Sequence, residues 1–159
     1  MVRTHILLAL LAAACAFGAA PTPVRAQTGP SGTGLSADDL YTNAYHAFLV
    51  QNYPRAIRGF LAFLAQFPQD SRIPEVHFFL ADAYYGQRDY PRALSEYDLV
   101  FRKFPGARQA PEAMRKQGQA YLLVQNPQGC RVLRELVAKY PQSSDASVAR
   151  RDLIPTYCQ

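Results

Sequence analysis

The sequence predicts an all-α protein, a short α-solenoid of three helix pairs with a C-terminal capping helix. The first observation is a repeat, because residues 53–57 (YPRAI) recur 37 positions later as residues 90–94 (YPRAL). The second is a recurring helix-ending dipeptide, Phe-Pro at 67–68 and 104–105 and Tyr-Pro at 140–141. The third is helical periodicity between these marks. One helix pair cannot bury both of its apolar faces, so tandem pairs are expected to stack.

Residues 1–26 have the three zones of a secretory signal peptide. Arg3 gives a basic start, and residues 6–17 (ILLALLAAACAF) form an apolar run that is too short for a permanent membrane span. Small residues precede Gln27, which suits cleavage after Ala26. We therefore expect export to the periplasm, with no transmembrane anchor after processing.

Cys15 leaves a second processing route open. It follows Leu-Ala-Ala-Ala at 11–14, which loosely resembles the lipobox of bacterial lipoproteins, where the cysteine becomes the lipidated first residue. The usual large aliphatic residue three positions earlier is replaced by Ala12. The sequence thus allows a soluble periplasmic protein or a lipid-anchored one, and acyl chains would hold the latter on a membrane.

The charge of the processed chain is only mildly basic. The chain has 17 Lys and Arg against 12 Asp and Glu, and two of the basic residues, Arg3 and Arg25, lie in the predicted signal peptide. This excess is too small for a nucleic-acid-binding face.

Residues 27–36 are rich in Gly, Ser and Thr and predict a flexible linker. Residues 37–155 are the predicted repeat domain.

Each repeat is expected to contain two helices joined by a short turn. In the middle repeat, apolar residues such as Val76, Leu80 and Tyr84 form one stripe at helical spacing. A second stripe follows Pro91, which suits the first turn of a helix because its missing N–H is not needed there. The repeats are predicted at about 38–68, 75–105 and 111–141, with helices 38–51 and 54–67, 75–87 and 91–104, 111–123 and about 128–140.

The C-terminal end carries a predicted capping helix and two cysteines. Residues 144–154 follow a serine N-cap and include several charged residues, which suits the outer face of a stack. Pro155 is expected to stop this helix. After cleavage, the chain keeps two cysteines, Cys130 and Cys158. An even number of cysteines in an oxidising compartment permits a disulfide, and two unpaired, half-buried thiols are the alternative.

The stretch 83–90 (AYYGQRDY), followed by Ala93, Tyr97 and Pro105, resembles the tetratricopeptide repeat. In that family small residues lie where the two helices of a pair approach most closely. The third repeat departs from the pattern, because its turn at 124–127 is one residue short and its second helix contains a glycine, which costs up to about 1 kcal/mol against Ala. The small-residue positions are Ala44 and Ala56, Ala81 and Ala93, and Gly118 and Gly129.

The motifs at 44–57, 83–90 and 110–113 (APEA) further resemble the C-terminal domain of the YbgF/CpoB family of the Tol–Pal system. That resemblance implies a non-catalytic periplasmic adaptor that binds the inner-membrane protein TolA and links outer-membrane constriction to cell division. The family carries a trimerising coiled coil, whereas no heptads precede the repeats here, so a monomer is expected. The alternative is the BamD family of lipidated outer-membrane assembly factors, which has similar Tyr-Pro-ended repeats but more of them.

The first helices of the pairs are expected to line the inner side of the stack and to form a partner-binding groove. Aromatic side chains would anchor a partner segment from the cell envelope, and acidic side chains would accept its Lys or Arg residues. Alternatively, the rings pack within the stack and the acids offset helix dipoles. The predicted groove residues are Tyr41, Tyr45, Phe48, Glu75, Phe78, Asp82, Tyr85, Glu112, Arg115, Gln119 and Leu122, with Tyr45, Phe78 and Tyr85 as anchors.

The sequence shows no constellation typical of an enzyme. After cleavage only His46 and His77 remain as histidines, and each stands alone in a predicted helix. There is no His-Glu-x-x-His pair, no Gly-rich phosphate loop and no Gly-x-Ser-x-Gly elbow. We therefore predict no catalytic residue, metal ligand or cofactor, and a cell-wall hydrolase is the remaining catalytic alternative.

Overall fold

Helices account for 95 of the 126 residues at 34–159, the part of the chain that the computed structural model describes. No strand occurs within these residues, so the predicted all-α class is confirmed. The predicted signal peptide, most of the predicted linker and Cys15 lie outside them. The long helices are α1 (Ala37–Leu49), α2 (Tyr53–Gln66), α3 (Ile73–Gly86), α4 (Tyr90–Lys103), α5 (Ala110–Leu123) and α6 (Gln128–Lys139). The chain then forms α7 (Ser144–Val148), a π-helical turn (Ala149–Leu153) and α8 (Ile154–Tyr157).

The six long helices stack in chain order as three pairs. Each packs against the helix before it and the helix after it, and α7 and the π turn cover α5 and α6. The core between the layers is built from fully buried side chains such as Phe60, Leu80, Tyr97 and Leu136. Burial of each of these side chains contributes on the order of 1.5–3 kcal/mol, which the pairs gain only by stacking.

The same turn ends the first helix of every pair. Gln51, Arg88 and Gln125 adopt the left-handed conformation, with φ of 57°, 62° and 56°. In each turn, this residue and the next one donate their N–H groups to carbonyls at the helix end, which would otherwise lack partners. Asn52 and Asp89 then cap the following helix, because their side chains accept from the backbone N–H groups three residues later.

The irregularity of the third pair lies at the start of α6 rather than in the turn before it. α6 has 12 residues where α4 has 14, and Pro127 occupies its N-cap position without a side-chain hydrogen bond. Asn126 partly compensates, since its side chain accepts from the N–H of Gln128 at 2.9 Å. The missing residue therefore shortens the helix and leaves the turn conformation intact.

The small residues lie where the paired helices touch. Ala44, Ala56, Ala81 and Ala93 are at most 2% exposed. In the third pair the approach is closer still, because a Cβ added at Gly129 would lie 2.7 Å from the Gly118 carbonyl oxygen. Glycine in this helix is therefore required by the contact between α5 and α6.

The C-terminal cap is longer than predicted, and Pro155 does not end it. In a regular helix the proline ring would collide with a carbonyl one turn earlier. Here the π turn precedes the proline, which then lies in the first turn of α8, and helical structure continues to Tyr157. Beyond it, Cys158 forms a disulfide with Cys130 of α6, with the two Cα atoms 5.4 Å apart.

Candidate partner-binding groove

The aromatic residues predicted on α1 fill the seam between the first and second pairs. Tyr45 and Phe48 lie with their ring centroids 4.9 Å and 5.4 Å from that of Phe79 on α3. Tyr41 stacks on Tyr45 at 5.9 Å, and its burial, together with the nearby Glu75 carboxylate, raises its pKa to about 12. These rings are half-buried, so they support the stack and keep only part of their surface accessible.

Phe78 differs from the prediction. It is only 5% exposed, because Tyr97 of α4 and Lys116 of α5 cover it. The Lys116 Nζ atom lies 5.1 Å from the ring centroid, within the range of a cation–π contact. Phe78 is therefore part of the floor between the helices and not a projecting anchor.

Asp82 is also not free, because it is the centre of a polar network that joins three helices. Lys116 of α5 donates to both of its carboxylate oxygens, at 2.9 Å and 2.7 Å, and the Tyr97 hydroxyl of α4 donates to one of them. Burial, with the Asp82 charge beside it, raises the pKa of Tyr97 far above its ordinary value. Asp82 thus holds the groove together and is not available to a partner's cation.

Arg115 is directed towards the C-terminal cap. Its guanidinium donates to Asp145 of α7 at 2.7 Å and to the side-chain oxygen of Gln119 at 2.8 Å. Its side chain is 19% exposed. This residue therefore fastens α7 onto α5, and its predicted contact with a partner stays a prediction.

Glu75 and Glu112 are the predicted acids that keep accessible carboxylates. Glu75 has Arg108 at 3.9 Å, and that arginine side chain is 87% exposed. Glu112 has Arg115 at 3.6 Å and Lys116 at 4.0 Å, and its own side chain is 42% exposed. Each of these contacts is long and has one exposed partner, so it contributes little energy, and a partner's cation can compete for both carboxylates.

Between α3 and α5, the structure brings four predicted residues together around a cavity of about 270 Å³, here called the acidic cavity. Three carboxylates and one guanidinium line it. Beside it lie Lys116, paired with Asp82, and Arg115, which is shared between Glu112 and Asp145, so four carboxylates stand against three cations. Its lining residues are Glu75, Phe78, Phe79, Asp82, Arg108, Gln109 and Glu112.

A second cavity, of about 420 Å³, lies at the other end of α3 and α5 and is here called the apolar cavity. It brings the predicted residues Tyr85, Gln119 and Leu122 together. A smaller cavity of about 170 Å³ shares Tyr85 and Gln119 with it and reaches Lys116. The groove therefore continues from carboxylates at one end to uncharged side chains at the other. The lining residues of the apolar cavity are Tyr85, Gln119, Leu122, Leu123, Gln125, Leu153 and Tyr157.

The C-terminal wall of the apolar cavity was missed by the sequence analysis. Leu153 and Tyr157 belong to the π turn and α8, and the predicted stop at Pro155 had placed Tyr157 beyond the fold. The neighbouring Cys158 was the available signal, because a bond to Cys130 requires the chain to return to α6. Lys116 and Arg108 were missed because their importance comes from partners on another helix.

Metal clusters and membrane-spanning helices do not occur among residues 34–159. Among residues 34–159, no group of three or more His, Cys, Asp or Glu side chains could hold a metal ion. His77 contacts Glu96 at 2.7 Å across the α3–α4 seam, where it serves packing. No helix of residues 34–159 has the length and apolar character needed to cross a bilayer.

Three stacked antiparallel pairs with a common turn define a tetratricopeptide-type helical repeat, a class of protein-interaction module. Solved structures share this fold. One is the first TPR of Spaghetti (RPAP3) bound to the HSP90 peptide SRMEEVD, with a TM-score of 0.60 and 17% identity over 80% of this chain and 100% of that one. Another is the Arabidopsis OM64 TPR domain, with a TM-score of 0.58 and 14% identity over 76% and 95%. At these identities the likeness concerns the fold alone.

Residues 34–157 match the model of the family described as YfiO, outer membrane lipoprotein. Because this span covers most of the sequence, the chain belongs to the YfiO family. No curated protein matches it significantly. Membership of an outer-membrane lipoprotein family agrees with the export expected from the N-terminal residues.

Proposed function

We propose that this protein is a non-catalytic adaptor of the bacterial cell envelope whose groove binds a segment of a partner protein. The observation that carries the proposal is the pair of cavities along α3 and α5, with a smaller cavity at Lys116 between them and with Glu75, Glu112 and Tyr85 accessible. Stacked helix pairs present extended surfaces of this kind, which proteins of this class use for binding. The acidic cavity favours a segment that carries Lys or Arg.

Site-specific photo-crosslinking tests the groove. A photoreactive phenylalanine analogue at Tyr85, 36% exposed in the groove, is expected to capture a discrete envelope protein. The matched control carries the analogue at Arg58, which is exposed on the outer helix α2. In the Tyr85 protein, Glu75→Gln together with Glu112→Gln should remove most of the adduct while circular dichroism stays unchanged. Equal adducts from both positions, or none from Tyr85, would exclude the groove as the binding surface.

The family description, outer membrane lipoprotein, supports a position at the outer membrane, and the lipobox-like stretch at 11–15 makes Cys15 the proposed site of lipid attachment. On this proposal the protein is an assembly factor on the periplasmic face of that membrane, and its acyl chains supply the anchor. Radiolabelled palmitate should enter the wild type and not Cys15→Ala, and the variant should move from the membrane fraction to the soluble periplasmic fraction. Absence of label from both proteins would leave a soluble periplasmic adaptor.

A second candidate is a Tol–Pal adaptor that acts in cell division and binds a TolA-like partner. The motifs at 44–57 and 83–90 favour it, since they resemble that system's repeat domain. The same Tyr85 crosslink discriminates the two candidates. Mass spectrometry of the captured protein should identify a TolA-like protein for the Tol–Pal adaptor and an outer-membrane assembly protein for the lipid-anchored assembly factor.

A further inference from the structure

The apolar cavity differs from the rest of the groove in charge and in exposure. None of the side chains that line it carries a charge at neutral pH, and burial raises the pKa of the Tyr85 phenol, which keeps it protonated. Leu123 and Tyr157 are 55% and 61% exposed beside it. Large exposed apolar side chains that converge on one cavity are typical of a binding surface.

The chain holds the outer wall of this cavity by a covalent link. α8 has only four residues, and so short a helix is not stable by itself. The Cys130–Cys158 disulfide ties its end to α6, and Arg134 donates to the Cys158 carbonyl at 2.9 Å. Tyr157 is thereby kept facing the ends of α3 and α5.

The acidic and apolar cavities are separated by a distance that an extended peptide spans easily. From Glu112 to Leu123 along α5, a rise of ~1.5 Å per residue gives about 16 Å, and from Glu75 to Tyr85 along α3 it gives about 15 Å. An extended chain covers this interval in roughly four to five residues at ~3.3 Å each. One short segment can therefore contact both cavities.

We infer that the apolar cavity is a second subsite, which takes a bulky apolar side chain from the same partner segment whose Lys or Arg lies in the acidic cavity. This inference rests on the proposed function. Glu75 and Glu112 hold the cation, and an aromatic or leucine side chain about four to five residues away inserts between Tyr85, Leu123 and Tyr157. The disulfide is a positioning device for this subsite.

Designed peptides test the subsite directly. The probe is acetyl-Phe-Ser-Ser-Ser-Lys-Ser-Ser-Ser-Phe-amide, which offers an aromatic ring on either side of the lysine and so suits both chain directions. Titration into the oxidised, isotope-labelled protein should shift amide resonances at both Glu112 and Leu123. Serine in place of both Phe residues should weaken binding about tenfold or more and abolish the Leu123 shift, while the Glu112 shift remains.

Leu123→Ser is the matched protein variant, and Leu49→Ser is its control. Leu49 has the equivalent turn position in the first pair and is similarly exposed, at 59%, so neither change disturbs the core. Leu123→Ser, and separately Cys158→Ser, should weaken binding of the Phe-containing peptide at least about fivefold and leave binding of the lysine peptide without Phe unchanged. Leu49→Ser should leave the binding of both peptides unchanged.

The outcomes separate the two levels of the argument. If peptides with and without Phe bind equally, or if Leu123→Ser and Leu49→Ser behave alike, the apolar subsite is refuted and the acidic groove stands. If no lysine-containing peptide shifts resonances at either cavity, both the subsite and the proposed binding of a basic segment are refuted.

Discussion

Replacing Gly129 by alanine should destabilise the protein even though alanine is the better helix former. An added Cβ would lie 2.7 Å from the Gly118 carbonyl oxygen and 2.7 Å from Leu122 Cγ, both of which belong to α5. Alanine gains about 1 kcal/mol of helix propensity, whereas overpacking costs about 1–3 kcal/mol. Because the obstructing atom is backbone, α5 and α6 must separate, so the cost lies near the upper end. The net loss is about 1–2 kcal/mol.

Urea and thermal unfolding followed by circular dichroism measure this loss in the oxidised protein. A domain of this size should lose roughly 3–10 °C of melting temperature. Gly106→Ala is the control, because its added Cβ meets nothing within 4 Å, and its stability should change by no more than about 0.5 kcal/mol. A Gly129→Ala protein as stable as the wild type would show that the helices do not need this close approach.

Three further changes test the structure elsewhere. Hydrogen bonds from Arg72 hold the pKa of Asp70 at about 2, below its ordinary 3.8. Asp70→Asn should therefore lower the unfolding free energy by about 1–2 kcal/mol at neutral pH. In urea unfolding, this difference between variant and wild type should vanish as the pH falls from about 4 to 2. Serine at both Cys130 and Cys158 should lower the unfolding free energy by up to about 3.5 kcal/mol for a separation of 28 residues, and an unchanged melting temperature would argue against the bond. Tyr97→Phe should cost about 1–2 kcal/mol by removing a donor to the Asp82 carboxylate, and full stability would contradict the network.

The helices themselves could be predicted because their signals are local. Apolar residues at helical spacing, a proline in the first turn and a small residue at each close contact identify an element and the face that it buries. The repeats around Tyr53 and Tyr90 identify where each second helix begins, whereas the predicted first helix extends to Gln51, the residue that adopts the left-handed conformation in the turn. The end of the cap was not, since a proline normally stops a helix and only the preceding π turn accommodates Pro155 here.

From the sequence, the groove could be predicted only as one face of the first helices, without the side chains that lie opposite that face. Helical spacing places Phe78, Asp82 and Tyr85 on α3, but it does not say what lies across from them. Tyr97 and Lys116 come from other helices, and they cover the first two residues while Tyr85 remains accessible. Whether a residue is buried between the helices or accessible in the groove therefore depends on neighbours from other helices, which helical periodicity cannot identify.

By itself, the amino-acid sequence determined the all-α class, the number and order of the helix pairs and the face on which a groove is expected, because each depends on spacing within about forty residues. Only the tertiary structure decided which carboxylates stay accessible and that α8 folds back to form one wall of the apolar cavity. Both depend on contacts between distant parts of the chain, such as Asp82 with Lys116 and Cys130 with Cys158. The strength of an ion pair or the position of a wall is set by whatever packs against it, and packing is a property of the folded chain.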